Sequence, residues 1–162
     1  MKNNKVLFLC QGDMIGTLYV ILTLISSVIG LLSTPVRLSE ALCVLPYFTP
    51  AAVPGLFVGC LISNLILGGA IPDIIFGSLA TLLGAAGTYL LRNFKAGKWL
   101  ASIPPVLSNT IIIPPILSYC YGYSDGWVVI ASGIALSEIV SCTLIGTALL
   151  FALMPVKNKL FK

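Results

Sequence analysis

The chain contains no histidine and few charges of either sign. Nine Lys or Arg and five Asp or Glu are spread over 162 residues. Without histidine there is no His-based metal site, and no Ser/His or Cys/His catalytic pair. The five cysteines, Cys10, Cys43, Cys60, Cys120 and Cys142, form no C-x-x-C, so no thiol-based metal site is expected either. Most of them lie in apolar runs and read as small hydrophobes in helices. No G-x-x-x-x-G-K-[ST] loop is present, so the chain has no ATP site of its own of that kind. No resident cofactor is expected.

Charged residues make up 9% of the chain, against about 25% in soluble domains. Hydrophobic residues make up 58%, more than a soluble fold of this length could bury. A bilayer is an acceptable solvent for such a surface. The first apolar run is too long for a signal-peptide core, and no small-residue cleavage site follows it.

The apolar runs are Met14 to Ser33, a short one from Leu38 to Phe48, Pro54 to Leu67, Pro72 to Leu91, Ile103 to Tyr119 and Trp127 to Met154. No internal repeat relates them, which gives no support to an inverted-repeat transporter. The basic residues cluster at Lys2 and Lys5, at Arg92, Lys95 and Lys98, and at Lys157, Lys159 and Lys162. Such clusters between apolar runs fit a membrane topology better than a nucleic-acid surface. The positive-inside rule wants all of them on the cytoplasmic side. The first two clusters share a side only if an even number of spans lies between them. That requires the short run at Leu38 to count as a span. The expectation is therefore a single domain, residues 1–162, with an all-α membrane fold. It has about six transmembrane helices and both termini cytoplasmic. Arg37 is then the one basic residue placed outside. The outer loops fall near Ser33 to Arg37, Gly68 to Pro72, and Cys120 to Gly126. Tyr119, Tyr121, Tyr123 and Trp127 at the last loop read as an interfacial belt, or as a lid that stacks on a flat ligand.

Ionisable groups inside spans cost about 2.5–3.5 kcal/mol each on insertion scales, so each needs a partner or a task. The candidates are Arg37, Glu40, Asp73 and Glu138, with the amides Asn64 and Asn109. Arg37 and Glu40 share a helix face and could pair or both contact ligand. Asp73 follows Pro72 at a helix start, where free N–H groups favour a carboxylate. Asn64 could simply bond a neighbouring helix. Glu138 lies eleven residues past Trp127, roughly 16 Å down its helix and near mid-bilayer. Asn109 sits at similar depth in the preceding run, just after Pro104-Pro105. Together they describe a pocket open to the outside. Carboxylates and amides without lysine suit a ligand rich in N–H donors, such as a purine-like base. On the first run, Gly12 and Gly16 form a small-xxx-small pair. It permits close helix packing, either within the chain or against another membrane subunit.

The stretch Arg37-Leu-Ser-Glu-Ala-Leu-Cys-Val-Leu-Pro46 resembles the QueT family. The similarity continues from Phe48 to Asn64 and from Asp73-Ile-Ile-Phe-Gly-Ser-Leu-Ala-Thr-Leu-Leu83. Weaker similarity covers Leu18 to Thr23, Ile103 to Asn109 and Glu138. The chain departs from the family pattern at Ile15-Gly16-Thr17 and at Ser33-Thr34-Pro35. The resemblance implies a substrate-binding S component of an energy-coupling factor (ECF) transporter in the bacterial plasma membrane. Such a subunit takes up a queuosine precursor, queuine or a related 7-deazaguanine base. Its implied partners are a transmembrane coupling subunit and two ATPase subunits, which would carry out the ATP hydrolysis. Gly12 and Gly16 would serve docking of that coupling subunit. Other readings are an S component for another small planar vitamin or nutrient, a membrane enzyme using Asp73 and Glu138, and a structural membrane protein.

Overall fold

The computed structural model describes residues 2–29, 37–94, 96–122 and 126–160, and shows no strand among them. Helix α1 is Lys2–Ile29. A 3-10 helix, Leu38–Tyr47, comes next. Helices α2 (Ala52–Ile66) and α3 (Ile71–Leu91) follow. The single turn α4 (Gly97–Leu100) leads into α5 (Ile103–Tyr121). The last stretch joins α6 (Trp127–Glu138), a π-helical segment (Ile139–Ile145) and α7 (Gly146–Leu153). A 3-10 turn (Met154–Val156) and α8 (Lys157–Leu160) end it.

Among the described residues, four stretches are long and apolar enough to cross a membrane: Lys5–Val28, Ile71–Leu91, Gly97–Cys120 and Trp127–Val156. The 3-10 helix and α2, at 10 and 15 residues, are shorter. Of the expected features, residues 33–36, Lys95, Tyr123 and Lys162 lie outside the described residues.

The first helix starts well before Met14, where the apolar run begins, and its polar Gln11 has two bonding partners. Gln11 Nε2 donates to the Leu160 carbonyl at 3.2 Å, and Gln11 Oε1 accepts from Thr49 Oγ1 at 2.9 Å. From Gln11 onward, Gly12, Ile15, Gly16, Tyr19 and Thr23 are buried, a stripe at helical spacing. It faces α2, whose buried positions Ala52, Gly55, Leu56, Gly59, Cys60, Ser63 and Asn64 repeat the same spacing. Glycine allows the two backbones to meet. A Cβ on Gly55 would sit 2.5 Å from the Gly12 carbonyl oxygen, and one on Gly59 would sit 2.8 Å from that of Gly16.

Helices α3 and α5 meet in a similar way, with prolines as the knobs. A Cβ on Gly84 would lie 2.6 Å from Pro105 Cα, and one on Gly87 would lie 2.6 Å from Pro104 Cβ. Pro105 has no N–H for the Ala101 carbonyl, one turn back. Thr88 Oγ1 on α3 donates to that carbonyl at 2.7 Å. The proline pair is therefore a packing device between helices, and Thr88 takes up the backbone group it frees.

The 3-10 helix lies at the centre of this arrangement. Runs of 3-10 helix longer than three or four residues are uncommon, because the hydrogen-bond geometry is poor. Here tertiary burial holds ten, with Ser39 through Pro46 all buried. The segment contacts α1, α2, α3, the π segment and α7. Thr23 Oγ1 bonds Ser39 Oγ at 2.8 Å, and Ser26 Oγ accepts from the Leu38 amide at 3.1 Å, tying the segment to α1.

A tight glycine turn connects α2 to α3. Gly68 adopts φ +71°, a left-handed conformation that L side chains rarely take. Its amide bonds the Leu65 carbonyl at 3.1 Å, and the Gly69 amide bonds the Asn64 carbonyl at 3.0 Å. These are the two bonds of a Schellman cap. The turn brings Asp73, in the first turn of α3, back beside Asn64.

Candidate functional site

The polar residues singled out in the sequence converge around the 3-10 helix. Tyr19 on α1 donates its hydroxyl to Glu40 Oε1 at 2.5 Å. Glu40 Oε2 accepts from Cys43 Sγ at 3.1 Å and from Asn109 Nδ2 at 3.5 Å. The same Asn109 nitrogen donates to Glu138 Oε1 at 2.8 Å. A continuous chain, Tyr19–Glu40–Asn109–Glu138, thus links α1, the 3-10 helix, α5 and α6. All four side chains are buried.

Helix geometry accounts for the meeting of Asn109 and Glu138. Asn109 lies twelve residues before the end of α5 at Tyr121, and Glu138 eleven after the start of α6 at Trp127. On adjacent antiparallel helices, those offsets are roughly 18 and 16 Å at 1.5 Å per residue. Glu138 is the last residue of α6, where the helix widens into the π segment. Such π-bulges are frequent at functional sites.

A second part of the cluster lies at the start of the 3-10 helix. Arg37 Nη2 donates to Asn64 Oδ1 at 2.9 Å. The hydrogen bond of Arg37 thus goes to α2 and not to Glu40. Asn64 Nδ2 leans on Cys60 Sγ at 3.6 Å, and Thr81 Oγ1 donates to the same sulfur at 3.4 Å. A Cβ on Gly77 would lie 3.3 Å from Asn64 Nδ2 and 3.6 Å from Asp73 Oδ1, so both side chains converge on this bare backbone.

The chain of bonds ends on polar atoms without partners. Asn109 Oδ1, Thr110 Oγ1, Glu138 Oε2 and Ser141 Oγ are buried and have no hydrogen-bond partner among the described residues. Buried polar groups are normally satisfied, and leaving one unpaired costs about 1–3 kcal/mol. Asn109 Oδ1 accepts only, Glu138 Oε2 accepts when the carboxyl is ionised, and the hydroxyls can accept. They offer a place for a molecule that brings N–H or O–H donors. No group of three or more potential metal ligands occurs among the described residues.

All six predicted site residues fall in this region: Arg37, Asn64 and Asp73 at one side, Glu40, Asn109 and Glu138 at the other. Tyr19 and Cys43, which hold Glu40, were not singled out in the sequence. Tyr19 falls on the buried stripe of α1 and within the stretch Leu18 to Thr23 that resembles the family. Cys43, Cys60 and Cys142 each lie one helical turn from a site residue, at Glu40, Asn64 and Glu138 respectively. Cys43 and Cys60 are buried in the apolar core, as small hydrophobes are, and also take part in the bonding described above. Tyr119 and Trp127 are exposed, unlike the buried residues of the cluster.

Gly12 and Gly16 have a different setting. They pack against α2 and also line a surface groove of about 540 Å³ along the α1–α2 seam. Asp13, Thr17, Pro54 and Gly55 border it as well.

A family model described as QueT transporter matches residues 9–155 of the chain. No curated protein and no solved structure matches it.

Proposed function

This chain belongs to the QueT transporter family, and from that premise we propose that it is the substrate-binding subunit of an ECF-type importer for a queuosine precursor. The ligand is queuine or a related 7-deazaguanine base. One observation carries the reading: the buried chain Tyr19–Glu40–Asn109–Glu138 ends on unpartnered acceptors, Asn109 Oδ1 and Glu138 Oε2. A base with several N–H donors satisfies them. Arg37, Asn64 and Asp73 supply the mixed donors and acceptors that a heterocyclic edge with both a carbonyl and an N–H requires.

In this reading the protein crosses the plasma membrane six times with both termini cytoplasmic, the 3-10 helix and α2 being the short crossings. Ligand enters from outside, on the side of Arg37 and Asp73. The groove along Gly12 and Gly16 receives the transmembrane coupling subunit, and two partner ATPases supply the energy. The chain itself binds and presents the ligand and performs no covalent chemistry.

Calorimetry of the purified protein with 7-deazaguanine bases tests the proposal. Saturable binding is expected. A ligand present at 100 times its Kd should also stabilise the fold by about 2.7 kcal/mol. No heat and no stabilisation with any base of this class would overturn it.

A further inference from the structure

One charged residue of the membrane-crossing stretches stands apart from the site. Asp13 lies within Lys5–Val28, eight residues past its start, about 12 Å along the helix. Its side chain is exposed, and its carboxylate makes no hydrogen bond or ion pair among the described residues. Asp13 is the one charged residue lining the groove along the α1–α2 seam. Thr17, one turn further on the same face, is the one other polar side chain there.

A carboxylate on the outer face of a membrane helix is costly unless something answers its charge. Lipid chains carry no donor that could do so. A second copy of this chain does not supply one either. Its basic residues lie at or near the ends of the apolar stretches, except Arg37, which is bonded to Asn64. The occupant that fits is therefore a different membrane protein with a cationic side chain. The groove can admit one closely, because its floor includes the bare backbone of Gly12, Gly16, Gly55 and Gly59.

We propose that Asp13 is the recognition point for the coupling subunit: a helix of that subunit lies in the groove and carries a lysine or arginine that pairs with the Asp13 carboxylate. The Thr17 hydroxyl accepts a further hydrogen bond from the same cation. Away from water such a pair is stronger than one on an aqueous surface. It forms only when the two subunits meet, so it discriminates against membrane helices that offer apolar side chains alone. This assignment rests on the proposed role of the groove and adds the chemistry of the partner helix to it.

The test co-expresses the full chain with the coupling and ATPase subunits of the same genome. The complex is purified through a tag on the coupling subunit, and the retained chain is quantified by mass spectrometry. Asp13→Leu should lower retention by about tenfold or more, as loss of one partner of a desolvated charge pair does. Asp13→Glu should keep most of it. The melting temperature of the free Asp13→Leu protein should not fall, because Asp13 bonds nothing there. Asp13→Lys should release the chain, and glutamate in place of one basic residue in the coupling subunit's membrane helices should restore it. Val58→Trp, which fills the groove from an exposed position, should also displace the coupling subunit. If Val58→Trp displaces it and Asp13→Leu does not, the ion pair is overturned and the groove reading stands. Equal losses with Asp13→Leu and Asp13→Glu, or no restoration by any acidic replacement, overturn the pair as well. If neither Val58→Trp nor Asp13→Leu lowers retention, or the wild type is not retained, the groove reading falls and the pair with it.

Discussion

The Tyr19 hydroxyl on the first helix donates to Glu40 on the buried 3-10 segment across 2.5 Å. The bond reaches a carboxylate that also orients Asn109, so Tyr19 acts on the site without being at its ligand end. Tyr19→Phe removes one donor from a buried carboxylate. A hydrogen bond to a charged group contributes about 1.5–3 kcal/mol, and the variant should lose stability in that range. Its ligand affinity should also fall, by about tenfold, because the Asn109 amide is held less firmly. Thermal unfolding in detergent and calorimetry on the same preparation check both effects.

The α1–α2 seam has no room for a side chain at Gly55. A Cβ there meets the Gly12 backbone oxygen, which cannot rotate away. Gly55→Leu should therefore push the helices apart and cost about 1–3 kcal/mol or more through overpacking. Gly126→Ala, where a Cβ meets nothing, is the control and should leave the melting temperature unchanged.

Thr88 holds the Ala101 carbonyl that Pro105 leaves free. Thr88→Val keeps the shape and removes the donor. The carbonyl is then buried without a partner, and the loss should be about 1–3 kcal/mol. Thr88→Ser, which keeps a hydroxyl, should recover most of it. Chemical denaturation of the three proteins measures the difference.

The proposed topology puts Gly126 outside and Lys98 inside. In a cysteine-free background, Gly126→Cys in intact cells should react with a membrane-impermeant maleimide. Lys98→Cys should react only after the cells are opened. The reverse pattern, or labelling of both from outside, would refute the sidedness and with it the entry route for the ligand.

Much of this site was legible in the sequence because polar groups in an apolar chain are conspicuous. Glu138 and Asn109 could be matched by their distance from a shared loop, and the structure joins them at 2.8 Å. Partner choice was less legible. Arg37 and Glu40, three apart, suggested a local pair, but two tertiary donors to Glu40, Tyr19 and Asn109, the local Cys43 thiol and the nearby Asn64 side-chain oxygen outcompete it. The tyrosine and cysteines of the cluster were hidden because both residue types are also ordinary occupants of apolar runs. Helix α1 also extends beyond the start of the apolar run at Met14. Hydropathy registers a Gln11 or Asp13 as an ending, whereas a helix continues through any residue whose side chain finds a partner or an edge.

The central 3-10 helix separates two ideas that hydropathy treats as one. Counting crossings by charge concerns where the chain ends up, while counting apolar residues concerns what lipid touches. Ser39 through Pro46 are covered by protein on all sides, so lipid has no hold on them. Their length is free of the thickness rule that governs the outer helices. Membranes of different thickness should therefore tilt or strain the outer helices first and leave Glu40, carried on this inner segment, in the same place relative to Asn109.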